Sequence, residues 1–218
     1  MQSFVDAAVR LERCGFQGVE LHGAHGYLLA QFLDRNLNKR SDGWGGSLQN
    51  RMSLIAQIAT RIRSSCSSRF IIGLRFSPAT EPQEGGFTLA DSVRLMQSAK
   101  TWGIDFLHAS LWNFRVVDAD NKTYLSTLAE NKPAGIPLIV AGKIVTPADA
   151  DAALAMGADF VALGKIAIRH KDWPELARDE GFAPKMPPYS VAELRSQAVG
   201  PRFIEYLKRW PKFIGQER

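Results

Sequence analysis

The segment Glu20-Leu-His-Gly-Ala-His-Gly-Tyr27 places a carboxylate, two imidazoles and a phenol close together in the chain. Glu20 and His22 are two residues apart, so a β-strand would put both on the same face of a sheet. His25 and Tyr27 follow in the next loop, where the two imidazoles can converge on one electronegative atom. This set suits a reaction in which a carbonyl oxygen gains negative charge while a phenol protonates a nearby carbon.

Two other interpretations of these residues stay open. The His-x-x-His spacing could hold a metal ion, although the helical His-Glu-x-x-His pattern and a clear third ligand are missing. Alternatively, His22 and His25 could be hydrogen-bonded core residues. Tyr27 would then be a packing residue, because an unperturbed phenol has a pKa of about 10.

Arg75 is the second candidate, and it lies within the apolar run from residue 71 to residue 76. Alternation along a strand puts Gly73 and Arg75 on one face and the aliphatic side chains on the other. An arginine that points inward is costly unless something anionic or electron-rich meets it. A salt bridge to Glu20 would meet that need, and so would a bound cofactor that can hold negative charge.

Two glycine–lysine pairs form the third candidate, since each follows an apolar segment typical of a strand. The pairs are Gly142-Lys143, after residues 137–141, and Gly164-Lys165, after residues 159–163. Glycine lets backbone N–H groups approach an anion, and the lysine adds a point charge. Either pair alone is ordinary turn chemistry. Two pairs on consecutive loops predict a ligand that carries a phosphate.

The elements that position these residues alternate along the chain. Apolar runs predict strands at 18–22, 70–76, 105–110, 137–141 and 159–163. Helical spacing and capping residues predict helices over 4–11, 51–63, 88–102 and 147–156. This alternation predicts parallel βα units, in either an open doubly wound sheet or a (β/α)8 barrel.

Two features favour an α/β fold of the TIM (β/α)8-barrel type. The polar candidates lie at the carboxyl ends of strands, where barrel active sites are found, and the phosphate-type glycines follow the last two strands. The Gly-x-Gly-x-x-Gly pattern of a dinucleotide-binding sheet does not follow the first strand.

Two segments lie outside the alternation. Residues 26–51 form a long polar segment that could wall an active site or be stabilised by its own Arg–Asp pairs. After residue 180 the alternation stops, and Ser190 with Glu193 three residues later predicts the start of a helix. We therefore expect a partial barrel domain over residues 1–180 and a helical C-terminal tail over residues 181–218.

Composition and charge exclude several function classes. The chain has 218 residues, 45% of them hydrophobic and 22% charged, which is typical of a globular protein. Cys14 and Cys66 lack metal-ligand or redox spacing, and no apolar run reaches the ~20 residues of a membrane helix. The charged N-terminus is unlike a signal peptide, so we expect a cytoplasmic protein. No nucleic-acid-binding motif accompanies the net charge of +5, so we expect no nucleic-acid partner.

Together these motifs resemble the old yellow enzyme family, a family of FMN-dependent NADH/NADPH:flavin oxidoreductases and ene-reductases. The resemblance rests on the segments 15–33 and 38–51, on Ile72-Gly-Leu-Arg-Phe-Ser77 and on Val161-Ala-Leu-Gly-Lys165, which occur in the family's order. The similarity runs from about Phe4 to Trp173.

The resemblance implies a role for each candidate residue. His22 and His25 would hydrogen-bond the carbonyl or nitro oxygen of an electron-poor alkene. Hydride would pass from N5 of reduced FMN to the β-carbon, and Tyr27 would protonate the α-carbon. Arg75 would stabilise negative charge at the pyrimidine end of the flavin, and NADH or NADPH would reduce the flavin again. Four residues would line the FMN phosphate: Gly142, Lys143, Gly164 and Lys165.

The sequence also departs from the family pattern. Lys165 stands where the family usually has arginine, and its ammonium lacks the bidentate fork that binds phosphate, so FMN affinity would fall modestly. Family chains begin with three βα units that Met1 would follow, so we expect an incomplete barrel. Two alternatives remain open: a half-barrel without independent catalysis that needs a homo-oligomer or a complementing chain, and a phosphate-binding isomerase or aldolase with Glu20 as base.

Overall fold

The computed structural model describes residues 1–78 and 86–215. Its centre is a five-stranded parallel sheet in which the strands follow one another in chain order. The strands are β1 (Gly18–Gly23), β2 (Ile71–Phe76), β3 (Phe106–Ser110), β4 (Leu138–Ala141) and β5 (Phe160–Ala162). Each agrees with its predicted strand to within one residue at either end, so the predicted parallel α/β sheet is confirmed.

Helices connect the strands, as parallel neighbours require. They are α1 (Gln2–Arg13), α2 (Leu28–Leu33), α3 (Leu48–Ser65), α4 (Leu89–Ala99), α5 (Tyr124–Asn131), α6 (Pro147–Ala155), α7 (Lys165–Arg169), α8 (Trp173–Leu176), α9 (Val191–Ser196) and α10 (Pro201–Leu207), with a 3-10 turn at Lys100–Trp102. Thr88 and Thr146 begin α4 and α6 with complete capping boxes, each closed by an aspartate three residues later.

Between β1 and β4, the described residues include helices that the sequence did not predict. Helix α2 occupies part of the segment 26–51, which was predicted as one long loop, and α5 lies between β3 and β4. Helix α3 begins at Leu48 rather than at residue 51, because the Ser47 hydroxyl accepts the backbone N–H of Asn50 and caps the helix there. The remaining loop, residues 34–47, is stabilised locally by the Arg40–Asp42 ion pair, as one of the two interpretations of this segment predicted.

The two faces of the sheet differ in what covers them. Side chains on one face, among them Ile72, Leu74, Leu107 and Val140, are fully buried in the main hydrophobic core with the helices. On the opposite face, which we call the open face, apolar side chains near the starts of the strands are exposed, with Ile71 at 44% and Phe160 at 58%. Polar side chains occupy the same face near the strand ends.

The chain after residue 180 forms a second, smaller apolar cluster. Its buried members are Tyr189, Leu194, Ile204, Leu207 and Phe213. Ser190 and Glu193 make the predicted capping box at the start of α9. Residues 216–218 of the predicted tail lie outside the described residues, and none of the helices within the described ranges is long and apolar enough to span a membrane.

Candidate functional site

The polar candidates meet at the edge of the sheet formed by the carboxyl ends of the strands. In the parallel register His22 on β1 is paired with Arg75 on β2, and Arg75 with His108 on β3. Because side chains alternate between faces, these three lie on the open face together with Ser110. The sheet therefore brings residues from three distant parts of the sequence to one place.

His22, His25 and Tyr27 form an aromatic group next to this edge. The ring centroids of His22 and His25 are 5.2 Å apart, and those of His22 and Tyr27 are 5.3 Å apart. The turn that brings His25 back toward β1 needs left-handed backbone, with φ of 57° at His25 and 70° at Gly26. Tyr27 is 62% exposed, so its hydroxyl can reach a ligand above the sheet.

Ser110 joins this group to Arg75. The guanidinium Nη2 of Arg75 donates a hydrogen bond to Oγ of Ser110 at 3.0 Å, and the same oxygen lies 2.8 Å from Nε2 of His25. The hydroxyl can donate to Nε2 of His25 or accept from it, depending on the tautomer of the imidazole, because its oxygen keeps a second lone pair beside the one that Arg75 uses. Sequence reasoning missed Ser110, although its position at the end of a predicted strand was the available signal.

The charge state of His25 follows from its surroundings. Partial burial lowers the pKa of His25 below its ordinary value, and the positive charge of Arg75 lowers it further. His25 is therefore neutral at pH 7. A neutral imidazole can donate a hydrogen bond from its protonated ring nitrogen without bringing a net charge to the site.

Glu20 and Arg75 do not form the salt bridge that was considered for them. Within the described ranges Glu20 instead contacts His108, with 2.9 Å between Oε2 and Nδ1. In the register, Glu20 pairs with Gly73, which lies two residues before Arg75 on β2. Nε of Arg75 and Nε2 of His108 are buried and have no hydrogen-bond partner among the described residues. Such buried polar groups point to a ligand that would satisfy them.

Both glycine–lysine pairs line one cavity of about 460 Å³ at the ends of β4 and β5. This volume lies within the usual range for small-molecule sites. His25 also lines the cavity, whereas His22, Tyr27 and Arg75 do not. Glu20 does not line the cavity either. The tail contributes four lining residues that sequence reasoning missed: Met186, Pro187, Tyr189 and Phe213.

The two glycines are required for different reasons. Gly142 has a φ of 155°, and a Cβ there would lie 2.8 Å from the carbonyl oxygen of Leu111 and 2.9 Å from the backbone nitrogen of Phe114. The close packing of two loops therefore demands a glycine at 142. A Cβ at Gly164 would meet no atom within 4 Å. Its backbone is open to the cavity, as the approach of a phosphate would require.

Each cavity lysine lies over a tryptophan. Nζ of Lys143 is 5.2 Å from the ring centroid of Trp112, and Nζ of Lys165 is 5.0 Å from that of Trp210. Within residues 1–78 and 86–215, neither lysine forms an ion pair with a carboxylate. Both ammonium groups can therefore bind an anion. In the same part of the chain, no three His, Cys, Asp or Glu side chains come together as a metal site.

Comparison with known proteins identifies relatives. The model of the NADH:flavin oxidoreductase / NADH oxidase family matches residues 1–180. The NADH oxidase of Thermoanaerobacter brockii is 36% identical over 189 residues, which cover 82% of this chain and 29% of that protein. The NADPH dehydrogenase of Bacillus pumilus is 31% identical over 216 residues, which cover 96% of this chain and 58% of that one.

A solved structure of morphinone reductase in complex with tetrahydroNAD shares the fold. It superposes with a TM-score of 0.71 at 26% identity, over 88% of this chain and 51% of that chain. The chain thus spans between 29% and 58% of the length of these relatives.

Proposed function

Because the chain belongs to the NADH:flavin oxidoreductase / NADH oxidase family, we propose that it binds FMN and uses NADH or NADPH to reduce the C=C bond of an electron-poor alkene. FMN and a nicotinamide donor are the cofactors of this family. The observation that carries the proposal is the cavity lined by both glycine–lysine pairs and by His25, next to the rings of His22 and Tyr27. The alkene would be a small molecule activated by a carbonyl or nitro group.

The likeness to morphinone reductase and the consecutive order of the five strands support a (β/α)8-barrel type of fold for the whole assembly. In this proposal residues 1–180 are the FMN-binding barrel part. The C-terminal tail begins at residue 181, and its helix α9 packs against α7.

The residues present fit FMN. The lysines Lys143 and Lys165 would bind its phosphate as point charges, beside the open backbone of Gly164 and the tight turn at Gly142. Nε of Arg75, which has no partner among the described residues, would donate to an acceptor of the flavin ring. When bound, FMN supplies the hydride carrier between the nicotinamide and the alkene.

The chain's own residues would hold the alkene and move one proton. His22 and neutral His25 would donate hydrogen bonds to the activating oxygen, which stabilises the negative charge that develops there. The Ser110–Arg75 pair holds the His25 ring in position through Nε2. Tyr27 would give the proton of its hydroxyl to the α-carbon.

The test is to purify the chain, incubate it with FMN and separate free flavin. A flavin absorbance band that stays with the protein, and NADH- or NADPH-dependent loss of a cyclic enone, are the expected results. A protein that takes up no flavin overturns the proposal. Flavin binding without enone reduction would instead favour a half-barrel that lacks independent catalysis.

A further inference from the structure

The C-terminal tail contacts one residue of the proposed phosphate site directly. Nζ of Lys165 lies 5.0 Å from the ring centroid of Trp210, three residues after the end of α10. Lys165 begins the short helix α7, so the contact joins the tail to the loop after β5. The family model matches residues 1–180, so Trp210 lies outside that match.

The tail holds the Trp210 ring in place. Its centroid lies 5.2 Å from that of Phe213 and 5.8 Å from that of Tyr206, both in edge-on geometry. Phe213 in turn packs edge-on against Tyr189 at 5.2 Å, and both are almost completely buried. Trp210 therefore cannot leave Lys165 without disturbing a packed aromatic cluster.

The same cluster reaches the cavity. Tyr189 and Phe213 belong both to the buried core of the tail and to the cavity lining, on which Lys165 also lies. The backbone N–H of Tyr189 donates to the carbonyl oxygen of Phe213 at 2.9 Å, which keeps the two lining residues together. The tail is thus one wall of the cavity as well as the support of the tryptophan.

An aromatic partner has a specific advantage for a lysine that binds phosphate. A free lysine side chain has four rotatable bonds, and ordering it on a ligand costs conformational entropy. A carboxylate would order the ammonium but would also neutralise it and compete with the phosphate. The face of an indole attracts the ammonium and leaves its charge and its N–H donors available.

We propose that Trp210 positions the ammonium of Lys165 for the phosphate of FMN, so that the C-terminal tail is part of the cofactor site. This inference rests on the proposed function, because it assumes that the cavity binds FMN. Trp210 is a positioning residue that acts through Lys165. The other pair, Lys143 with Trp112, is expected to be weaker, because Trp112 is 72% exposed and water competes for the ammonium there.

The experiment measures dissociation constants for FMN and for riboflavin, which lacks the phosphate, by quenching of flavin fluorescence. Trp210→Leu is expected to weaken FMN binding about threefold to fivefold, as the loss of a cation–π contact predicts. Riboflavin binding stays unchanged. Trp210→Phe keeps a smaller aromatic face and should lose about twofold. The control Phe203→Leu removes another ring of the tail, one that stacks on Tyr206, and should leave both constants unchanged.

A double-mutant cycle with Lys165→Ala distinguishes a positioning role of Trp210 from a packing role. If Trp210 acts through Lys165, Trp210→Leu causes no further loss of FMN affinity in the Lys165→Ala protein. An equal loss for FMN and riboflavin, or a loss that persists without Lys165, would show a packing role and overturn the inference. If Trp210→Leu does not fold, Trp210→Phe carries the same comparison.

The outcomes also distinguish failure of the proposed function from failure of the inference about Trp210. A wild-type chain that binds neither flavin overturns the proposed function and the inference together. A wild-type chain that binds FMN with an affinity unaffected by Trp210→Leu overturns the inference alone.

Discussion

The two halves of the proposed site are built in different ways. The first half consists of His22, His25 and Tyr27, which come from one short segment with a left-handed turn, and of these His25 is also held by Ser110. The second half is the phosphate side of the cavity, which combines the loops after β4 and β5 with the tail. A local segment is exposed and can adapt to a substrate, whereas the assembled cavity is held by tertiary packing. We therefore expect mutations in the first half to change chemistry and mutations in the second half to change cofactor affinity and stability.

The strongest test of this division is Tyr27→Phe. Loss of the hydroxyl should slow alkene reduction about 100-fold or more, because general-acid catalysis contributes at least that much. Reduction of bound flavin by NADH or NADPH and the FMN dissociation constant should stay unchanged. Stopped-flow measurement of the two half-reactions checks both expectations. Tyr206→Phe, at an exposed tyrosine of the tail, is the matched control. An equal slowing of both half-reactions would contradict the assignment of Tyr27 as proton donor.

The second test compares two glycines of the assembled half. Gly142→Ala should lower the free energy of unfolding by about 2 kcal/mol, because it combines a positive φ with a Cβ pressed against Leu111 and Phe114. Gly164→Ala should cost less than about 1 kcal/mol, since its Cβ meets nothing, but it should weaken FMN binding. Urea unfolding and flavin titration measure the two effects. Similar stability losses for both variants would be inconsistent with the packing described.

The third test, Lys165→Arg, should tighten FMN binding about threefold. A guanidinium can bind a phosphate through two parallel N–H groups and can also stack on Trp210, so it would keep the contact with the tail. Lys165→Gln, which removes the charge, serves as the opposite reference and should weaken FMN binding. Riboflavin affinity should respond to neither change. If the arginine variant binds FMN less tightly than the wild type, the site beside Trp210 fits an ammonium group and not a guanidinium.

The smallest expected effect concerns the titration of His25. Its pKa is lowered by burial and by the charge of Arg75, so its ring signal in NMR should titrate below that of an unfolded histidine. Arg75→Met should raise this pKa only in part, because burial remains. Arg61→Met removes a charge from an exposed position on α3 and should leave the titration unchanged. If the pKa of His25 is the same in Arg75→Met as in the wild type, the charge of Arg75 does not contribute to lowering it.

The lowered pKa of His25 also predicts how the free energy of unfolding changes with pH. A histidine whose pKa is lower in the folded chain binds protons more readily when the chain is unfolded. Its contribution to stability is complete above the unfolded pKa of about 6.5 and is lost as the pH falls toward the folded pKa. Arg75→Met should therefore make the free energy of unfolding less dependent on pH in this window.

Much of the fold was predictable from the sequence, and so was one half of the site. The five strands were placed to within one residue because buried apolar runs bounded by turns are a local signal. The starts of α4, α6 and α9 were predictable because a capping threonine or serine before a helix is also a local signal, and at α9 the acid three residues later was part of the prediction. Helix α2 was missed since its six residues are too few to show a helical period.

The partners of charged residues were not predictable in the same way. The sequence allowed a salt bridge between Arg75 and Glu20, but the parallel register pairs Glu20 with Gly73, and the carboxylate of Glu20 contacts His108 on β3 instead. Ser110 was likewise unassigned until β3 brought it between Arg75 and His25. A difference of one register step changes every such contact, and no local pattern specifies that step.

The sequence by itself determined the chemistry that this chain can offer: two imidazoles and a phenol in one segment, an arginine within a strand and two glycine–lysine pairs after strands. Residue types and short spacings are sufficient to predict this chemistry, because the residues of each group are close together in the chain and local backbone geometry relates their side chains. Only the tertiary structure decided that the two pairs share one cavity, that Ser110 links His25 to Arg75, and that the tail places Trp210 under Lys165. These contacts depend on strand register and on packing between distant segments, which are set by the whole fold.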